Sequence, residues 1–262
     1  MSAAYEFRKI YLDCLEPDGA VTVVYQNVVR LAGAWIARRS VERYAPDGAR
    51  AVVDLPPPAV SDWERPWGAD DGVRIEVVHG AWAPPPPPVG DALDWRVAVG
   101  RGEVALRWPG GAARGRGYVD RVRITVPTRR LGLRTLAWGR VHLPDRTVVF
   151  ERLSTAAGAR WDVGFDWRVG EAAPRPLAGP VTLGADGEGT VPLDDGPLAL
   201  VPVRILHQGD AFDPERVPRA MDRWFCRTLG GPTHETRWFG AARHGDRAAS
   251  ALYERVTFGS GA

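Results

Sequence analysis

Apolar and polar residues alternate over short stretches of this chain, and the alternation recurs along most of it. Val73, Ile75 and Val77 are interleaved with Arg74 and Glu76, the period-two signature of a half-buried strand over residues 72–78. Residues 10–15 form a shorter β-prone run that ends in Glu16-Pro17-Asp18-Gly19, with Pro and Gly where turns favour them. Residues 21–31 resume the β-rich pattern, so the two runs predict a hairpin. Residues 34–44 alternate more loosely and stop at a second turn, Pro46-Asp47-Gly48. The five prolines from Pro84 to Pro88 cannot join a sheet interior and predict an extended connector, a stiff surface loop. Strands are then predicted over 93–99, 103–108, 118–126, 135–143, 147–153, 161–169, 181–183, 189–193, 198–207 and 250–258.

Helical spacing occurs once. Asp213-Pro214-Glu215 has the form of a helix start. Val217, Met221, Trp224, Phe225 and Thr228 then form a stripe that Gly230-Gly231 ends, which predicts a helix near 214–229. Many short strands with one late helix point to an all-β, antiparallel sandwich or barrel system. One barrel of 262 residues would be oversized. Two smaller barrels or half-barrels fit better, an N-terminal domain over 1–128 and a C-terminal domain over 129–262.

Composition narrows the class. Hydrophobic and charged fractions of 45% and 25% are those of an ordinary globular protein. A net charge of +2 is too small to call for nucleic acid as a partner. No run approaches the ~20 apolar residues that span a bilayer, and Met1 to Asp13 lacks a basic region followed by an apolar core. The expectation is a cytoplasmic protein. Cys14 and Cys226 have no paired-ligand spacing, and His79, His207, His234 and His244 form no HxH or HxxxH pair, so no metal site is expected. Gly115-Arg116-Gly117 lacks a third glycine and precedes a strand, so it is no phosphate cradle. Eleven tryptophans stand out. They fit either a β-protein core or a cavity for a large apolar or conjugated molecule.

The candidate chemistry lies between Gly115 and Arg152. Gly117-Tyr118-Val119-Asp120, followed by Trp138-Gly139-Arg140-Val141-His142, resembles the lipocalin-like carotenoid 1,2-hydratases (hydroxyneurosporene synthases) and their AttH-like relatives. Leu252-Tyr253-Glu254-Arg255-Val256 resembles that family's closing strand. The resemblance implies two lipocalin-like β-barrel domains and no metal or organic cofactor. It also implies hydratase, isomerase or cyclase chemistry on an apolar isoprenoid, polyene or polyketide. Where the family carries His-Asn-Trp-Gly after its acid, this chain has Arg121, Val122, Arg123 and Ile124.

Alternation sets Tyr118, Asp120, Val122 and Ile124 on one face and Arg121 with Arg123 on the other. It also groups Trp138, Arg140 and His142. Asp120 is the candidate proton donor, or else a structural acid bonded to backbone N–H groups or to Arg140. Arg140 is a partner for Asp120, an anchor for a substrate carbonyl or carboxylate, or a strand-capping arginine. Trp138, His142 and Tyr118 are candidate substrate contacts, and a Trp face stabilises a carbocation. Tyr253 and Glu254 are candidates to close the site, with Glu254 as a second acid. The alternative class is a carrier that binds an apolar ligand without turnover. A third is a scaffold that acts through a protein partner.

Overall fold

A computed structural model describes residues 5–31, 33–57, 72–210 and 231–259. The predicted helix near 214–229, and Cys226 within it, lie outside these residues. The described residues are nearly all-β, and the chain divides into two compact units, Met1–Val126 and Pro127–Ala262. Among the described residues every strand pairing is antiparallel, and no helix is long and apolar enough to cross a membrane.

The first unit holds a seven-stranded sheet. Its strands are β1 (Tyr5–Leu15), β2 (Val21–Leu31), β3 (Ala34–Tyr44), β4 (Arg50–Leu55), β5 (Val73–His79), β6 (Leu93–Trp108) and β7 (Gly111–Ile124), in the spatial order 4-3-2-1-7-6-5. The predicted hairpin forms with Tyr11 opposite Tyr25, and its turn closes through Glu16 and Ala20. Ile10, Leu12, Cys14, Val24, Val41, Val104, Leu106 and Val119 build an apolar cluster. Leu55 of one edge strand and Val73 of the other both join it, so the sheet curls round these side chains.

Several elements differ from the pattern-based expectation. Strand β4 has no predicted counterpart. The predicted runs 93–99 and 103–108 are one strand, β6, with bulges at Val97/Val99 and Val99/Gly102. Val73 and Ile75 face the cluster, but Val77 is 55% exposed, where a bulge between Val77 and His79 ends the regular register. Strand β7 begins at Gly111, well before the predicted start at 118, and its glycines have a steric cause. A Cβ on Gly115 would stand 2.0 Å from the Leu15 carbonyl oxygen, and one on Gly117 would meet the Asp13 carbonyl oxygen at 2.3 Å. Only glycine lets β7 approach β1 this closely.

The second unit holds a nine-stranded sheet in the spatial order 11-10-9-8-16-15-14-13-12. Its strands are β8 (Leu133–His142), β9 (Arg146–Thr155), β10 (Arg160–Arg168), β11 (Arg175–Pro176), β12 (Thr182–Leu183), β13 (Gly189–Leu193), β14 (Gly196–Asp210), β15 (Thr233–His244) and β16 (Arg247–Phe258). Val141, Val148, Phe150, Val191, Leu198, Leu200, Trp238 and Tyr253 pack as one buried apolar cluster. Leu177, just after β11, and Leu183, in β12, pack against it. Strand β15 has no predicted counterpart.

Gly139 on β8 sits inside this cluster. A Cβ there would lie 2.4 Å from Phe150 Cζ and 2.6 Å from Tyr253 Cβ. Overpacking of this kind costs about 1–3 kcal/mol. Gly139→Ala is therefore expected to lower the urea midpoint of unfolding with an unchanged denaturant slope. An unaltered midpoint would show that both rings have room to move.

A second device holds one end of this sheet. Arg146, 2% exposed, starts β9. Its guanidinium donates to Asp166 on β10 at 3.0 Å and to both oxygens of Asp195 at 2.9 and 2.8 Å. Asp195 lies in the turn between β13 and β14. It also meets Arg168 at 3.1 Å and His244 Nε2 at 3.2 Å. Asp145 bridges Arg146 and Arg247. Residues from four strands and two turns thus share one charge network. Asp194-Asp195-Gly196, which reads in the sequence as an ordinary turn, supplies its central acid.

Candidate functional site

Asp120 sits on β7 on the sheet face opposite the first apolar cluster, which its neighbour Val119 joins. It is nonetheless only 4% exposed. The Trp95 indole Nε1–H donates to Asp120 Oδ2 at 3.1 Å, and the Tyr118 hydroxyl donates to the same oxygen at 3.2 Å. Trp95 is on the same face of β6. Tyr11 on β1 and Val97 on β6 stand directly across from Asp120. Aromatic rings surround these groups. Tyr11 lies edge-on to Tyr25 at 5.6 Å and 6.3 Å from Tyr118, and Trp82 lies edge-on to Trp95 at 5.9 Å.

The bond between Tyr118 and Asp120 agrees with their predicted shared face. The sheet curls round the opposite face, so this acid lies outside the first apolar cluster. Burial penalises charge on Asp120, whereas two donors on one oxygen favour it. The carboxyl is held in one orientation in an apolar, aromatic setting. Sequence reasoning missed Trp95, Tyr11 and Asp13. Asp13 is fully buried and stands across from Tyr118. The alternation of Leu93, Trp95 and Val97 with Asp94 and Arg96 marks Trp95 as facing inward, but nothing local links it to an acid 25 positions on.

Trp138, Arg140 and His142 belong to the second unit and share a face of β8, opposite Val141 and the apolar cluster. All three are buried, Arg140 completely. Val149 and Leu252 flank Arg140 across the neighbouring strands, while Glu151 and Glu254 flank Trp138. His142 Nδ1 lies 3.3 Å from the Thr147 hydroxyl. Glu254 Oε2 accepts two hydrogen bonds from Arg237, at 2.9 and 2.6 Å, and Arg237 also pairs with Glu235 at 2.8 Å. Glu254 is thus an ion-pair partner on this face, and neither Arg237 nor Glu151 stands out in the sequence.

Tyr253 points the other way, into the apolar cluster, with its ring stacked on Trp238 at 5.5 Å. Burial pushes its hydroxyl well above the usual tyrosine range, and Asp186 and Glu188 add to the shift. Successive strand residues face opposite sides, so Tyr253 and Glu254 do not line one surface.

No family model and no curated protein matches this chain. Solved structures do. CghA, crystallised with Sch210972, superposes with a TM-score of 0.58 at 11% identity, covering 98% of this chain and 89% of that one. The fold is shared with AttH-like lipocalin-fold proteins. An AttH-type protein from Nitrosomonas europaea superposes with a TM-score of 0.56 at 11% identity, covering 97% and 92%. At such identities the likeness establishes architecture, and residue roles rest on the geometry above.

Proposed function

We propose that this protein is a cofactor-independent enzyme of the hydratase, isomerase or cyclase kind, acting on an apolar isoprenoid, polyene or polyketide. The observation that carries this reading is Asp120, a buried carboxyl oriented by Trp95 and Tyr118 and ringed by aromatic side chains. In the protonated form it donates its proton to one carbon of an alkene or enol. The π electrons form the new C–H bond and leave a cation on the neighbouring carbon. Faces of Trp95, Tyr11 or Tyr118 stabilise that cation. Capture by water, whose extra proton passes to the Asp120 carboxylate, completes a hydration, and loss of an adjacent proton to that carboxylate completes an isomerisation; either way the acid is restored. In the cyclase variant the walls hold the substrate in a reactive conformation. Trp138, Arg140 and His142 are proposed as further substrate contacts, with Arg140 suited to a carbonyl or carboxylate. The shared architecture with CghA, a protein crystallised with a small molecule, supports an enzyme or binder of this size class.

A carrier is the second reading. The residues that follow Asp120 favour it. Arg121, Val122 and Arg123 stand where the resembled family carries His, Asn and Trp, and the two arginines face away from the acid. Organic extraction and mass spectrometry of protein purified gently from its host, followed by incubation with a polyene, terpenoid and polyketide panel, tests both. Conversion of a panel member supports the enzyme. Stoichiometric binding with the ligand recovered unchanged supports the carrier. No uptake of any member overturns both.

A further inference from the structure

Arg121 and Arg123 do not take part in the Asp120 site, because alternation turns them to the opposite face of β7. There they meet two more arginines at directly opposed positions. Arg121 stands across from Arg96 on β6, and Arg123 across from Arg8 on β1. Like charges directly opposite each other in a sheet are destabilising, so two such pairs side by side need compensation. Part of it is internal. Glu6 accepts from Arg8 at 3.0 Å and from Arg123 at 2.6 Å, and Asp94 accepts from Arg96 at 3.0 Å. Four guanidinium groups against two carboxylates leave an excess of two positive charges.

Arg121 holds the centre of that excess. It is half-buried and has no ion-pair or hydrogen-bond partner among the described residues. Its Nε is shielded from solvent and lacks an acceptor. A buried donor left unsatisfied is costly, and a guanidinium fork matches the geometry of an oxyanion. The groove in front of it has a volume of about 420 Å³, and Ile10, directly across from Arg121 on β1, is part of its lining.

We propose that this groove is a second binding site, separate from Asp120, and that it takes an oxyanion of the phosphate class, free or esterified to a small organic group. Arg121 makes the central forked contact, and Arg96 and Arg123 supply the flanking charge.

The test is isothermal titration of the whole protein with inorganic phosphate, pyrophosphate and a short alkyl phosphate, at constant ionic strength maintained with sodium chloride. Saturable, near-stoichiometric binding is expected in the wild type. Arg121→Gln should weaken it about tenfold or more, the loss of one charge-assisted contact. Arg121→Lys should restore part of it, because lysine keeps the charge without the fork. Arg96→Gln, at an exposed position, serves as a second variant should Arg121→Gln fail to fold, and it is expected to weaken binding less. Equal binding of inorganic and alkyl phosphate would identify the free anion as the ligand. Binding of the alkyl phosphate alone would show that Ile10 receives the organic group. No saturable binding in the wild type, or unchanged binding in Arg121→Gln, overturns the proposal. Asp120→Asn is expected to leave phosphate binding intact, so this site and the proposed reaction fail or stand independently.

Discussion

Asp120→Asn is expected to lower turnover by about 10²- to 10⁴-fold, the ordinary contribution of a positioned proton donor. The substitution is nearly isosteric, and the remaining amide oxygen still accepts from Trp95 and Tyr118. Substrate affinity should therefore change little, and the loss should fall on kcat. That split separates a proton donor from a residue that merely anchors a substrate group, whose removal would raise KM instead. Circular dichroism and thermal melting check that the fold survives. Trp95→Phe adds a second readout, because it removes one donor from Oδ2 and keeps the ring. It should shift the pH profile of kcat by weakening support for the charged form, whereas a purely structural role for Trp95 would leave that profile in place. Full turnover by Asp120→Asn on an identified substrate would end the proton-donor reading.

Arg146→Met is expected to produce the largest loss of stability of any single change described. The guanidinium is 2% exposed and is shared by Asp166, Asp195 and Asp145. Removing one partner from a buried ionic network leaves the others uncompensated and costs about 3–5 kcal/mol. At this chain length that lowers the melting temperature by about 10 °C. Scanning calorimetry of the two proteins at neutral pH measures it. A shift of only a degree or two would mean that this end of the sheet is held by packing alone.

The same network has a signed pH dependence. Hydrogen bonds and charge from Arg146 hold Asp195 far below the usual carboxylate range. Burial alone would raise Asp145, but Arg146 and Arg247 outweigh it and hold it low. The stability these two carboxylates contribute is present above their unfolded value of about 3.9, and it is lost as pH falls through their folded values. Burial pushes Asp166 up despite Arg146 and Arg168, so its contribution has the opposite sign and offsets part of that loss. Acid unfolding should be steepest below about pH 4 in the wild type and shallower in Arg146→Met.

Local alternation made much of this arrangement legible. It grouped Tyr118 with Asp120, and Trp138 with Arg140 and His142, because which face a strand residue takes depends only on its neighbours. It could not say which face the sheet would curl around. That depends on where the edge strands bring Leu55 and Val73, and the first apolar cluster turned out to lie on the Val119 side. Strand β15 escaped notice because Arg237, Gly240, Arg243 and His244 break up its apolar signal, although Trp238 and Ala242 are core residues. The start of β7 was hidden by glycines whose purpose is visible only against the β1 backbone. Trp95, Glu151 and Arg237 owe their roles to partners on other strands, and sequence spacing does not carry that information.

Strand β8 keeps two separate accounts of selection. Its odd-numbered positions, with Gly139 beneath Phe150 and Val141 in the cluster, answer to folding. Its even-numbered positions 138, 140 and 142 carry the buried Trp, Arg and His of the opposite face. Under the proposed function, a randomised library confined to the even set varies substrate contacts while leaving Gly139 and Val141 in place. One confined to the odd set would yield mostly insoluble protein. Divergence among descendants of this scaffold should be periodic along the strand, fast at one parity and slow at the other.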